Sequence, residues 1–478
     1  METSKKWKRK QPNQGEEDRI SNLPDSVLVH ILSFLQMEDA VMTGILSRRW
    51  EYLWTNVPRL NFYCPYDDTS TKQKEKYIDF VYRTLALHQT NTIEEFQLAF
   101  SLSELDTQGM SRLEKKRVAV YASHVDIWVC FAVRRNVKKL CLLLAKLDDG
   151  VVVQSTTPYK LSHQLFENDS IRELKLVYCL INRAKPILWN YLKKLKLYDI
   201  QSSDEAIQNI LNGTPLLEKL TLSMCIGVKN IDIASRNLKM LNIWLSVGSK
   251  LKITAPYVHK MKIYGDVAGY TLTNVLSLVD VRVRPYLDHS HDNGLKKLLE
   301  SVRHAHYLSL DSDCLQVLSM LEVQNLHLSS LNCSTLSLST NLTKWELPGI
   351  VAVLRASSNV QMLIIKEDTM FYNIDFGEGF LQSYDFNEEN YWSSLLQTDW
   401  LPATLTTVKI YDFKYGSFET ELVEFLLKKA QKLQTMVLVC KEKVDFSKDK
   451  PVTKDMWNFS QKLLSIRKAS PDAVVQFS

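Results

Sequence analysis

The residues of this chain best suited to catalysis or metal binding are few and scattered. Histidine offers two close pairs, His289/His291 and His304/His306. On a strand an i, i+2 pair shares one face and could hold a metal ion. No carboxylate–cysteine cluster accompanies either pair, so both read as surface histidines. The eight cysteines are Cys64, Cys130, Cys141, Cys179, Cys225, Cys314, Cys333 and Cys440. They form no Cys-x-x-Cys pair, and no histidine pair stands beside them at zinc-finger spacing. With no secretion signal they read as reduced thiols, mostly buried as small hydrophobes. Gly377 and Gly379 lack the third glycine of a dinucleotide loop and read as a turn. The chain has no Gly-rich phosphate loop, no Gly-x-Ser-x-Gly and no His-Glu-x-x-His. No catalytic residue, metal or cofactor is expected, and the chain reads as a non-enzyme.

If the chain does no chemistry, its elements must serve binding. With 478 residues it is too long for one ordinary compact core, so two or three domains or an elongated array are expected. Glycine (14) and proline (13) are scarce, which argues against long flexible linkers. No apolar run approaches the roughly 18 residues of a membrane helix. The net charge of +5 is concentrated: Lys5, Lys6, Lys8, Arg9 and Lys10 against Glu2 leave only +1 for everything after residue 15. No basic field covers the body, so nucleic acid is not an expected partner. The basic tail, residues 1–17, reads as disordered and equally as a nuclear localisation signal.

A repeat organises the middle of the chain. Apolar residues recur at relative positions 0, +3 and +5: Val137/Leu140/Leu142, Ile171/Leu174/Leu176, Leu192/Leu195/Leu197, Leu217/Leu220/Leu222, Leu238/Leu241/Ile243, Val258/Met261/Ile263 and Leu276/Val279/Val281. Further copies are Ala305/Leu308/Leu310, Val323/Leu326/Leu328, Leu342/Trp345/Leu347 and Val360/Leu363/Ile365. The +3 and +5 side chains point inward along a short strand, and position 0 turns the chain into it. One unit cannot bury its own apolar side, whereas stacked units cover one another. Cys179 and Cys225 fall at +8, where the leucine-rich-repeat pattern has Asn or Cys. Ahead of the repeats, amphipathic helices are expected over 72–88 and 115–135, with Pro58–Thr71 as a linker.

Residues 18–57 read as three short helices. Pro24 suits a first turn, and Val27, Leu28, Ile31, Leu32 and Leu35 make one broad apolar face. Asp39 starts a second helix that ends near Leu46. Ser47 is placed to cap a third, which sets Trp50 and Trp54 on one side. About forty residues cannot bury all this apolar surface alone, so part of it is expected to await a partner.

Leu23-Pro24, the Leu28/Ile31/Leu32/Leu35 stripe and Leu46-Ser47-x-Arg49-Trp50-x-x-Leu53-Trp54 resemble the F-box of plant F-box/leucine-rich-repeat proteins. The resemblance runs on through Phe80-Val81-x-Arg83, His124-Val125-Asp126-x-Trp128 and Asn212-Gly-Thr-Pro-Leu-Leu-Glu-Lys-Leu, with Thr214 where that family commonly has Cys. At the far end Trp400-Leu401-Pro402, Leu405, Val408, Ile410, Phe413, Gly416, Glu421-Leu422, Phe425-Leu426-Leu427, Ala430, Leu433 and Met436 resemble the FBD domain that often ends such proteins.

The resemblance implies an α/β chain in which a three-helix F-box is followed by an irregular leucine-rich-repeat solenoid, closed by a small α/β FBD cap. The expected boundaries are 18–57 for the F-box, 58–135 for linker and capping helices, 136–370 for repeats, 371–398 for a connecting loop and 399–478 for the FBD domain. The implied role is substrate recognition in an SCF-type cullin ubiquitin ligase, inside the cell in nucleus or cytoplasm. The alternatives are a binding scaffold or a small-ligand receptor acting without a ligase. Leu23, Pro24, Leu28, Ile31, Leu32, Leu35, Leu46, Trp50 and Trp54 are the expected contacts to a Skp-type adaptor and, through it, cullin. Neither membrane nor nucleic acid is an expected partner. An unknown client protein is expected on the outward +4 and +6 strand positions, above all Lys175, Lys196, Tyr198, Trp244, Lys262 and Tyr264.

Overall fold

The computed structural model describes residues 19–20, 22–64, 71–102, 112–148, 151–153, 158–182, 186–285, 292–343, 345–368, 391, 401–414, 417–440 and 454–478. The chain divides into two compact units, Met1–Ser155 and Thr156–Ser478. His289, His291, Gly377, Gly379, the basic tail and nearly all of the expected connecting loop lie outside the described residues.

The first unit opens with α1 (Asp25–Leu32) and α2 (Met37–Met42). α2 runs on into a 3-10 turn, Thr43–Ile45, near the expected end of the second helix, and in place of the third helix expected after Ser47 stands a 3-10 turn, Leu53–Asn56. The apolar residues there are spaced too irregularly for a helical face. Their polar work is local instead: the Trp54 indole donates to the Glu51 carbonyl at 3.0 Å and the Thr55 hydroxyl to the Tyr52 carbonyl at 2.7 Å. The first part of the expected linker is a strand, since β1 (Arg59–Tyr63) begins directly after Pro58; residues 65–70 lie outside the described residues. Next come α3 (Thr71–Leu87), β2 (Glu95–Ala99), α4 (Arg112–Arg134) and β3 (Lys139–Leu143). β1, β2 and β3 are parallel neighbours in register, Phe62 beside Leu98 and Leu98 beside Leu142. Val57/Leu60/Phe62 and Ile93/Phe96/Leu98 repeat the 0, +3, +5 pattern, so the array starts two strands earlier than the sequence reading placed it. The helices cover it through rings. Trp128, fully buried, meets Phe100 edge-on at 5.8 Å and Tyr82 at 5.8 Å. The Tyr82 hydroxyl sits 2.7 Å from Nδ1 of His124. A two-stranded antiparallel ladder of three residue pairs, β4 (Lys146–Asp148) with β5 (Val151–Val153), follows.

The second unit begins with β6 (Tyr159–Lys160), β7 (Glu173–Val177), β8 (Cys179–Ile181), β9 (Lys194–Tyr198) and β10 (Gln201–Ser202). Then follow α5 (Asp204–Asn212), β11 (Lys219–Ser223), β12 (Asn230–Ala234), β13 (Met240–Leu245), β14 (Lys250–Thr254), β15 (Lys260–Gly265), β16 (Tyr270–Thr273) and β17 (Asp280–Pro285). The remainder is α6 (Asp292–Ser301), β18 (Tyr307–Leu310), α7 (Ser312–Val323), β19 (Thr335–Ser339), α8 (Leu347–Ala356) and β20 (Met362–Lys366). It closes with β21 (Thr407–Phe413), α9 (Ser417–Lys429), β22 (Thr435–Cys440), α10 (Lys454–Ser465) and β23 (Val474–Phe477).

One parallel sheet runs β7-β9-β11-β13-β15-β17-β18-β19-β20-β21-β22-β23. Its inner residues, such as Leu195, Leu197, Leu220, Leu241, Ile243, Met261 and Ile263, are at most 1% exposed. Burying each such side chain stabilises the unit by about 1.5–3 kcal/mol. At +7 the chain leaves β7, β9, β11 and β15 through the left-handed region: Tyr178 (φ 62), Asp199 (φ 49), Met224 (φ 53) and Gly265 (φ 93). Tyr178, Asp199 and Met224 still donate their N–H to the next strand's +6 carbonyl, at 3.0, 2.9 and 2.8 Å. The +8 side chain then turns inward. Cys179 and Cys225 are fully buried there. Asp266 accepts from the Gly248 N–H at 2.8 Å and the Ala268 N–H at 3.0 Å, which is the turn-holding role expected of that position.

Three expected repeats shift. Leu276 and Val279 are exposed (77% and 45%), and the strand frame is Leu278/Val281/Val283, two residues later. Val323/Leu326/Leu328 is no strand, because Cys314, Leu315, Leu318 and Leu321 recur at helical spacing and make α7. Asp311 caps that helix by accepting from the Cys314 N–H at 3.0 Å. Leu342/Trp345/Leu347 leads into α8, with Leu342 at positive φ. α8 packs on α7 backbone to backbone. A Cβ on Gly349 would lie 1.9 Å from the Leu315 carbonyl oxygen, so only glycine fits. The true strand there is Leu336/Leu338 in β19.

The expected C-terminal strand–helix–strand is present as β21, α9 and β22. β21 pairs directly with β20, Leu363 beside Val408, so the sheet passes from the repeats into this segment without a break.

Candidate functional site

Two faces, one in each unit, stand out by what they leave uncovered. In the first unit α1 has two apolar stripes. Leu28 and Leu32 are buried (0% and 1%), and they join Met37, Ala40, Trp50, Leu53 and Trp54 in the core of the module. Val27 and Ile31 lie on the outward side, 39% and 43% exposed. Phe34, Met42, Ile45 and Leu46 extend that outward surface at 64%, 59%, 78% and 66%. Such apolar exposure concentrated within one short segment marks an interaction site. The nine residues expected to touch an adaptor therefore divide. Pro24, Ile31 and Leu46 are exposed, Leu23 and Leu35 half-buried, and Leu28, Leu32, Trp50 and Trp54 form the support beneath. The reason is geometric: neighbours on a helix point about 100° apart, so a stripe too wide for one interface splits between two. The expected contacts omit Val27, Phe34, Met42 and Ile45 of this surface; the i, i+4, i+7 series Val27, Ile31, Phe34 was the available signal.

Arg49 fixes the start of this face. Its Nε donates to Asp25 at 2.8 Å, its Nη2 to the same carboxylate at 2.6 Å, and Nη2 also reaches the Leu23 carbonyl. The arginine thus holds Leu23-Pro24 against the head of α1. Beneath, Glu38 on α2 keeps both carboxylate oxygens buried with no hydrogen-bond partner among the described residues. Burial, ahead of the neighbouring Asp39 charge, pushes its carboxyl up to about 7.

In the second unit the outward side of the parallel sheet carries two columns in register. One reads Lys175, Lys196, Thr221, Asn242, Lys262 and Arg282; the other reads Val177, Tyr198, Ser223, Trp244, Tyr264 and Arg284. All six residues expected to face a client lie in them. Trp244 is half-buried rather than freely exposed, its ring 5.9 Å from that of Tyr264. Arg282 and Arg284 were missed because the frame of their strand had been set two residues early.

The charges on this face change along the sheet. Lys175 lies 5.6 Å from the Tyr198 ring. Lys175, Lys196, Lys219 and Lys262 form no ion pair among the described residues. On β17 the cations are matched. Arg282 binds Asp280 at 3.2 Å, and Arg284 binds Asp311 at 3.1 Å and Asp368 at 2.5 Å.

Among the described residues no group of three or more His, Cys, Asp or Glu could hold a metal ion. His304, read from the sequence as a surface residue, is half-buried with Nε2 2.9 Å from the Val275 carbonyl oxygen, and His306 is exposed. Among the described residues no helix is long and apolar enough to cross a membrane.

Comparison with known proteins matches these two parts separately. Residues 20–62 match the F-box domain family, and residues 88–473 match the family described as At1g61320/AtMIF1, LRR domain. An F-box/LRR-repeat relative from Arabidopsis thaliana, At3g18150, is 27% identical over 471 residues, 95% of this chain and 93% of that protein. F-box/LRR-repeat protein At5g02910 of the same plant is 27% identical over 449 residues, 90% of this chain and 89% of its own length. F-box/FBD/LRR-repeat protein At2g04230 is 30% identical over 310 residues, 61% of this chain and 64% of its own.

Proposed function

Because this chain belongs to the F-box/leucine-rich-repeat family, in which an F-box precedes an At1g61320/AtMIF1-type LRR domain, we propose that it is the substrate-recognition subunit of an SCF-type cullin ubiquitin ligase. The F-box docks a Skp-type adaptor, and through it cullin, while the repeats hold the protein to be tagged. The ligase it joins performs the chemistry, and this chain contributes position alone. Residues 399–478 serve as an FBD domain whose strands prolong the repeat sheet. The setting is intracellular, nucleus or cytoplasm.

The observation that supports this reading best is the apolar face of Val27, Ile31, Phe34, Met42, Ile45 and Leu46, set on a core that Leu28, Leu32, Trp50 and Trp54 complete without it. A surface of that kind is worth little to a free chain and much to a complex. The test is adaptor pull-down with the full chain. Ile31→Asp with Phe34→Asp should reduce capture at least tenfold, since buried apolar anchors dominate interface energies. Leu23→Ala with Pro24→Ala should weaken it too. Both variants should keep the circular dichroism of the parent, because the altered side chains lie outside the core. Full capture by Ile31→Asp/Phe34→Asp would refute the adaptor assignment.

A further inference from the structure

We infer that the outward sheet face from β7 to β15 binds a short acidic segment of the client protein, anchored by one apolar side chain against Trp244 and Tyr264. The inference rests on the reading that the repeats hold the client, and it adds the chemistry of what they hold.

Charge complementarity carries it. On the edge where chains enter these strands, ions are already matched: Lys194 with Glu173 at 2.7 Å, and Lys239 and Lys193 with Glu218 at 3.0 and 3.7 Å. In the middle of the face Lys175, Lys196 and Lys262 have no carboxylate partner among the described residues. Three cations without a counter-ion along five strands attract an anion, and they discriminate against a neutral or basic one.

The same face carries the anchor site. Trp244 and Tyr264 stand side by side on β13 and β15, tilted at 32°, half-buried by the sheet and open above. Aromatic surface that is already ordered and partly desolvated loses little entropy on binding. Between the lysines, Thr221 and Asn242 offer neutral hydrogen-bonding groups, 3.4 Å from one another.

Size follows from the ladder. Neighbouring strands lie about 4.8 Å apart, so Lys175 to Lys262 spans about 19 Å, the length of about six extended residues. The matched ions beyond β15 set the limit. Asp280, Asp311 and Asp368 occupy Arg282 and Arg284, so a long polyanion such as RNA would run from free lysines onto carboxylates. A short peptide stops before them.

The experiment uses the full chain and a fluorescein-labelled peptide of six glutamates flanking one central leucine, read by anisotropy at several salt concentrations. Binding should weaken as salt rises. Lys196→Glu with Lys262→Glu should reduce affinity at least tenfold, and Trp244→Ala should reduce it for the leucine peptide more than for its serine analogue. Lys250→Glu, on β14 away from this face, should change nothing. Adaptor pull-down run in parallel separates the two readings: a chain that captures adaptor but binds the peptide as tightly after charge reversal as before overturns this inference alone. Equal binding of the glutamine version of the peptide also overturns it. So does tighter, Lys196- and Lys262-dependent binding of an oligouridylate of equal charge, which would make the face a nucleic-acid site.

Discussion

Asp313 carries a carboxyl that burial, reinforced by the like charges of Asp311 and Asp368, pushes up to about 8. Arg284, which holds those two partners, opposes the shift, and Glu346 adds to it. An unfolded chain ionises the same group near pH 4. The folded state therefore binds the extra proton between those values. The stability this group contributes is full below about pH 4 and is lost as pH rises through about 8. Denaturant unfolding should show the second unit less stable at pH 8.5 than at pH 5. Asp313→Asn should reduce that difference by about 1 kcal/mol or more; an unchanged slope would mean that Asp313 does not hold its proton. This carboxylate was not legible in the sequence, because it takes its environment from β17, the start of α7 and Asp368, two residues past β20, which are distant along the chain. Residues whose environment is local were legible. Leu28, Trp50 and Trp54 announce an apolar module by type alone, but which of them face inward depends on the 3-10 turn that replaces the third helix.

Strands announced themselves by the 0, +3, +5 spacing wherever a turn followed promptly, as after Tyr198 and Ser223. The reading failed where one apolar series satisfies both periods. Leu315, Leu318 and Leu321 are spaced for a helix, and the residues just after them imitated a strand. β1 and β2 carried the spacing too, but Pro58 and the polar run after Tyr63 disguised the first of them. The elements make their own predictions. Leu197→Ala, within β9, should destabilise the second unit by about 2–5 kcal/mol in denaturant unfolding. Gly265→Val should also destabilise it, since a Cβ at that positive φ would sit 2.7 Å from the Leu245 carbonyl oxygen. A variant as stable as the parent would mean that the end of β15 can adopt another backbone.

At the scale of the molecule, repeats that touch only their neighbours have stabilities that add along the array and fray at its ends. Amide hydrogen exchange should accordingly be slowest in β11, β13 and β15, covered on both sides, and fastest in β23, whose Val474 and Phe477 are 53% and 42% exposed. Uniform protection would show a unit that opens all at once. From Ile171 the inward frame advances by 21, 25, 21, 20 and 20 residues to Leu278, yet the ladder from β7 to β17 shows no slip of register. All variation in length is therefore absorbed by the returning segments, where α5 sits in one crossover and β12, β14 or β16 in others. Lys175, Lys196, Asn242 and Lys262 consequently occupy fixed addresses on a grid that insertions at the back leave in place. They can also be exchanged one at a time without disturbing the leucines beneath. A lineage duplicating such a gene can rewrite the outward grid by point substitution alone, with the N-terminal helical module inherited intact, and so diversify that surface faster than its fold.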